Sequence, residues 1–290
     1  MDLATLIPLA LKTSIVFIVF GLALNANLND ALYLFRRPRE LVCSLLSMNV
    51  IMPLCAAAIA AIFELHPAVK IALLMLAVSP VPPILPKKEI KAGGGSSYAF
   101  GLLVAAALLA IVVVPLSVEL LGRTFERTIH IAPATVAQLV LTTVFLPLAA
   151  GIAVRHFAPA FAERIAKPMS LAAMVLLVIS ALPILFTAWP AITSLIGNGT
   201  ILAIAAFVFV GLAAGHLLGG PDPEDRTVLA LSTASRHPGV AMAIASANFP
   251  GQKLVPAAVL LYLIVNAVVS LPYLNWRKRQ RTGIVAAVGT

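Results

Sequence analysis

Arg236 is the residue of this chain best placed to do chemistry. It sits in Ser232-Thr233-Ala234-Ser235-Arg236-His237-Pro238-Gly239-Val240, in the middle of an apolar stretch. Cations at such depth are rare and mark substrate pathways or structural pairs. Next to it, His237 has the one side chain that titrates near neutrality, so it is a candidate proton carrier or a packed, hydrogen-bonded histidine. Ser232, Thr233 and Ser235 could line a site or bond back to their own helix. A second cluster reads Ser79-Pro80-Val81-Pro82-Pro83-Ile84-Leu85-Pro86, followed by Lys87-Lys88-Glu89-Ile90-Lys91. Lys87 and Lys88 could add to the positive charge of a site or only anchor the end of a span. Glu89 could pair with one of the cations. The remaining histidines and acids form no metal cluster, no paired carboxylates and no nucleophile–base set, so an enzyme is not expected. Cys43 and Cys55 fall within one apolar run and imply neither a disulfide framework nor a zinc site.

Long apolar runs must position these residues. Of 290 residues, 61% are hydrophobic and 11% charged, against about 25% charged in a soluble domain. A bilayer is the solvent this composition requires. The net charge of +9 does not point to nucleic acid, because the charges lie in short clusters between apolar runs. A span needs roughly 20 mostly apolar residues, and nine segments qualify: 6–25, 41–63, 69–91, 97–118, 133–154, 169–187, 200–218, 227–248 and 256–275. The sixth and seventh are divided at Trp189, Pro190 and Gly197-Asn198-Gly199, read as a turn. The runs are continuous rather than alternating, so helices and not a β-barrel are expected. The N-terminus lacks the basic region of a cleaved signal peptide, and the first run is expected to be a retained span.

Two spans differ from the rest. Four prolines between Pro80 and Pro86 cannot stay helical, because each removes a hydrogen bond and clashes one turn back. The span 227–248 is interrupted by Pro238-Gly239. Irregular backbone at membrane depth is tolerated where it lines a cavity or is buried in protein. Paired interruptions in the two halves of a chain point to a transporter binding site. If spans 5–9 repeat spans 1–4 with the first copy lacking its opening helix, the two broken spans are equivalent and run in opposite directions. That is an inverted repeat.

The basic residues orient the chain. Arg277, Lys278, Arg279 and Arg281 follow the last span and place the C-terminus in the cytoplasm. Nine spans then put the N-terminus outside a cell (inner) membrane. Arg36, Arg37, Arg39, Lys87, Lys88, Lys91, Arg155, Arg164, Lys167 and Arg226 fall inside. Only Lys70, Arg123, Arg127 and Lys253 fall outside.

At this point the chain resembles the bile acid:sodium symporter family, over about residues 10–276. The likeness rests on Phe20-Gly21-Leu22-Ala23-Leu24, Arg37-Pro38, Val50-Ile51-Met52-Pro53, Ser79-Pro80-Val81-Pro82 at the first break and Gly239-Val240-Ala241-Met242-Ala243 after the second. The resemblance implies a panel domain, here 6–25, 133–154 and 169–187. It also implies a core domain, here 41–63, 69–91, 97–118, 200–218, 227–248 and 256–275, in which the broken helices cross. Members with nine spans are known. The family's sodium ligands map onto Leu85, Pro86, Ala99, Leu103, Ser232 and Arg236, and a further glutamine onto Met48 beside Asn49. Most of those positions here carry no side-chain oxygen.

The resemblance and its departures lead to one expectation. The chain is an all-α membrane transporter of a small organic anion, with Arg236, His237, Ser232, Thr233, Lys87, Lys88, Glu89, Pro82 and Asn49 as its substrate-site residues. A fixed cation stands in the place of sodium, and no cofactor is expected. A sodium-coupled symporter and a proton-coupled exchanger are the alternatives. Arsenite efflux is disfavoured by Ser79, which stands where a related family has cysteine. Substrate identity and oligomeric state are not legible.

Overall fold

The computed structural model describes residues 3–124 and 129–288. Arg127, one of the charges assigned to the outside, lies outside the described residues, as does the side chain of Arg281. Every regular element described is helical. Proline sets many of the boundaries, since its missing N–H costs nothing in a first helical turn. Pro38, Pro67, Pro133, Pro159, Pro223 and Pro238 each open a helix.

In chain order, α1 is Leu3–Ala23 and α2 is the short Leu28–Leu32. The next rod is α3 (Pro38–Leu46), a π-helical turn at Ser47–Ile51 and α4 (Met52–Ile62). Then come α5 (Pro67–Val78), α6 (Leu85–Lys91) and α7 (Ser96–Thr124). A second rod holds α8 (Pro133–Val140), a π-helical turn at Leu141–Phe145 and α9 (Leu146–Phe157). The chain continues with α10 (Pro159–Ser194), α11 (Thr200–Leu218), α12 (Pro223–Ala234), α13 (Pro238–Asn248) and α14 (Val255–Val288).

Seven of the described rods are long and apolar enough to cross a membrane. The segments 69–91 and 227–248 are each split in two, as α5/α6 and α12/α13. One boundary differs from expectation. Trp189 and Pro190 form no turn, because α10 runs through Pro168, Pro183 and Pro190 to Ser194. The turn is confined to the residues after it, where Asn198 and Gly199 take left-handed φ values of 43° and 77°. Kinked continuation costs a membrane helix little when neighbouring groups satisfy the freed carbonyls.

Helix α1 packs against α9 and α10. Helices α4, α5, α11, α12, α13 and α14 form the other main body of contacts. The tightest pairing is α11 with α12. Gly211 and Gly215 lie one turn apart on α11, and a Cβ on Gly211 would stand 2.7 Å from Ala234 Cα. Small residues four apart let two backbones approach this closely. Outward faces are apolar: Leu54, Ile62, Leu171, Phe186 and Leu217 are all exposed, as lipid contact requires.

Candidate functional site

The two breaks meet. Residues 79–84 separate α5 from α6, and Ser235–His237 separates α12 from α13. The His237 N–H donates to Pro80 O across the gap at 2.9 Å. His237 also opens α13, where its Nδ1 accepts the N–H groups of Gly239 and Val240 at 3.1 and 3.4 Å. A ring nitrogen that accepts cannot also carry a proton, so Nδ1 of His237 serves as a helix cap.

Prolines leave carbonyls around this crossing without backbone partners. The helical partner of Ser79 O would be Pro83 N, and that of Ala234 O would be Pro238 N; neither has a hydrogen. In the π-helical turn, the partner of Met48 O would be Pro53 N, again without a hydrogen. A buried carbonyl needs a donor. The fold supplies three from side chains. Tyr262 Oη donates to Ala234 O at 2.7 Å. Arg236 Nη2 donates to Met48 O at 2.8 Å and Nη1 to Ser79 O at 3.3 Å.

Arg236 is 1% exposed, and its Nε–H has no partner. The ion pairs among the described residues are Arg37–Glu40, Arg123–Glu119 and Arg155–Glu163, so none involves Arg236. The guanidinium borders a cavity of about 10 Å³ shared with Asn49, Met48, Val78, Pro80 and Ala106. That is room for about one water. A larger cavity of about 310 Å³ lies at the far end of α13, lined by residues that include Ser246, Gln252 and Lys253 and by none of the sequence candidates.

Glu89 is buried, at 1% exposure, and pairs with no cation among the described residues. Instead Ser232 Oγ donates to its Oε1 at 2.5 Å, tying α6 to α12. Lys87 reaches away from the crossing, and its Nζ donates to Ser170 O of α10 at 3.4 Å. Lys88 is half-buried. Thr233 shares a hydrogen bond of 2.9 Å with Ser47. Pro82 is buried within the first break. The structure therefore gathers Arg236, His237 and Asn49 around one point, and it separates them from the Glu89–Ser232 pair and from Lys87. The turn Gly93-Gly94-Gly95 carries the chain close over α12, where a Cβ on Gly94 would stand 2.6 Å from Val228 Cγ2.

Sequence reasoning missed the wall behind the second break. Tyr262 holds Ala234 O, Asn266 Nδ2 donates to Ser235 Oγ at 3.3 Å, and Ser270 Oγ donates to Asn266 Oδ1 at 2.9 Å. The signal was present: three polar residues four apart in an otherwise apolar span lie on one helix face.

The sequence also matches known proteins. The family model described as "Sodium Bile acid symporter family" matches residues 13–195, which include the first break and stop short of the second. The chain is also 25% identical over 255 residues to a protein of Bacillus subtilis (strain 168) named "Uncharacterized sodium-dependent transporter YocS", with 83% of this chain and 75% of that protein covered. With the match extending over more than half of its length, the chain belongs to the sodium bile acid symporter family and is a multi-pass membrane protein of that transporter type.

Proposed function

We propose that the protein carries a small organic anion through the membrane by alternating access, with the Arg236 guanidinium as a built-in cation at the crossing. One observation carries this reading. Arg236 is a buried charge with an unpartnered N–H and, among the described residues, no acid against it. A lone buried cation is costly unless an anion completes it. The carbonyls of Ser79 and Met48 fix the head group through two nitrogens and leave Nε–H toward an incoming carboxylate or sulfonate. The 10 Å³ cavity is far too small for such a ligand, so binding belongs to another arrangement of the helices. The division we infer for that movement is a panel built from α1, α8–α9 and α10 and a core built from the rest; the packing of α1 on α9 and α10 supports it.

The donor set also bears on sodium. A hard cation takes several oxygens, by analogy with calcium. Leu85, Pro86, Ala99 and Leu103 offer none from their side chains. The carbonyls of Ser79 and Met48 are held by the guanidinium, and Ser232 is bonded to Glu89. Sodium coupling is the second reading, favoured by the name of the Bacillus relative. In that reading Arg236 only satisfies orphaned carbonyls.

Binding separates the two. A panel of organic carboxylates and sulfonates should raise the melting temperature of purified protein in sodium-free detergent. Arg236→Ala should weaken that binding by at least about tenfold, the equivalent of 1.4 kcal/mol. Stabilisation that needs sodium and survives Arg236→Ala would favour the second reading.

A further inference from the structure

We propose that Glu89 is a proton-binding site, and that its protonation and release couple anion movement to a proton gradient. The inference rests on the anion-transport reading above, and it assigns the coupling ion which that reading leaves open. Three observations carry it. Glu89 is buried more deeply than Asp225 of α12, the other buried acid on these half-helices, at 1% against 8% exposure. The only hydrogen bond to its carboxyl among the described residues is from Ser232 Oγ, at 2.5 Å to Oε1. No cation pairs with it among the described residues.

The groups around it can be named. On its own helix, Lys88 is the neighbouring charge, with Lys87 and Lys91 further along; Lys87 is turned toward Ser170 of α10. From α7 the nearest titratable group is Tyr98, whose hydroxyl is already bonded to Ser44 Oγ at 2.8 Å. From α12 the facing polar group is Ser232, with Val228 packed on the turn that follows Glu89; the acid of that helix is Asp225, two turns before Ser232 and beside Gly95 at the end of that turn. One hydroxyl cannot compensate a buried carboxylate. A proton can, because it makes the group neutral and leaves Oε1 free to accept from Ser232. The bond ties α6 to α12, the half-helices on either side of the two breaks. Helix α6 also borders the panel, where Lys87 is bonded to Ser170 of α10 and Ile90 packs against the cluster that includes Ile18 and Val19 of α1, so movement of the panel past α6 lets water reach the carboxyl. A proton is then taken from water on one side of the membrane and released as hydronium on the other.

His237 does not compete for this role, since its Nδ1 accepts two backbone N–H groups at the start of α13. Arg236 and Glu89 thus divide the work: one binds the anion, the other the proton.

Two measurements on the full-length protein test the assignment. In difference infrared spectroscopy across a pH titration, wild type should show a protonated carboxyl C=O band that is missing in Glu89→Gln. This readout needs no substrate. In liposomes, an inward proton gradient should drive accumulation of the anion that binds. Glu89→Gln, which mimics the protonated form, should lose that acceleration and keep exchange of internal for external anion. Ser232→Ala, which leaves the carboxyl in place, should shift the pH profile of accumulation. The proposal is overturned if Glu89→Gln is still driven by the proton gradient, if no carboxyl band depends on Glu89, or if the band is present while the gradient drives nothing. Should wild type bind no anion of the panel, the anion reading falls and takes the coupling role with it. Should the anion bind through Arg236 while the proton arm fails, only the coupling role falls.

Discussion

Single residues at the crossing have two kinds of task. Some repair what proline removes, and some are left with unused valence. Tyr262 and His237 belong to the first kind, because every polar contact they show goes to backbone. Arg236 belongs to both, since it holds two carbonyls and keeps one N–H free. His237 gives a direct check on this division. Asparagine caps helix N-termini well, and alanine does not. His237→Asn should keep transport and its pH profile, whereas His237→Ala should cost about 1 kcal/mol of stability. A pH profile flattened by His237→Asn would return the histidine to proton chemistry. The sequence shows Arg236 plainly, because a guanidinium within an apolar span has few reasons to be there. It could not show that the partners of Arg236 are backbone oxygens, since every residue has one and only the fold decides which are left over. The alternative, a pair between Arg236 and Glu89, does not form among the described residues for the same reason: neighbouring breaks bring main chains together, and Glu89 lies beyond the first break, against Ser232.

The elements explain why those carbonyls are available. Pro53, Pro83 and Pro238 each strip a donor from a carbonyl that the crossing then fills with a side chain. The proline clusters were therefore the most informative feature of the sequence, and they located both breaks. They misled only at Trp189-Pro190, where a long helix absorbs the proline without turning. The packing of α11 on α12 was also open to reading. Gly211, Gly215 and Gly219 recur every four residues, the spacing of a closely packed helix face. A Cβ on Gly215 would stand 2.5 Å from Ala230 Cα. The helix that carries Ser232 and leads to Arg236 is held there by backbone contact. Gly215→Leu should cost about 1–3 kcal/mol and lower the melting temperature of the purified protein by several degrees. Gly251→Ala, a position with nothing within 4 Å of an added Cβ, is the matching control and should change little. Equal melting temperatures for the two variants would mean that α11 and α12 are not packed this closely.

At the scale of the whole molecule, membership of a sodium symporter family meets a crossing whose fixed charge is a guanidinium. Composition alone established a membrane protein, and the broken spans suggested a transporter. The choice between resident and mobile cation depends on geometry that no composition encodes. The account predicts that charge balance in the cycle is set by Arg236 and the anion, without a sodium ion. The most direct measurement is uptake of the bound organic anion into liposomes containing the purified protein, with external sodium replaced by potassium or choline. Uptake that is unchanged by the replacement and lost in Arg236→Ala is the predicted result. Uptake that requires sodium and persists in Arg236→Ala would contradict the account and return the protein to sodium-coupled symport.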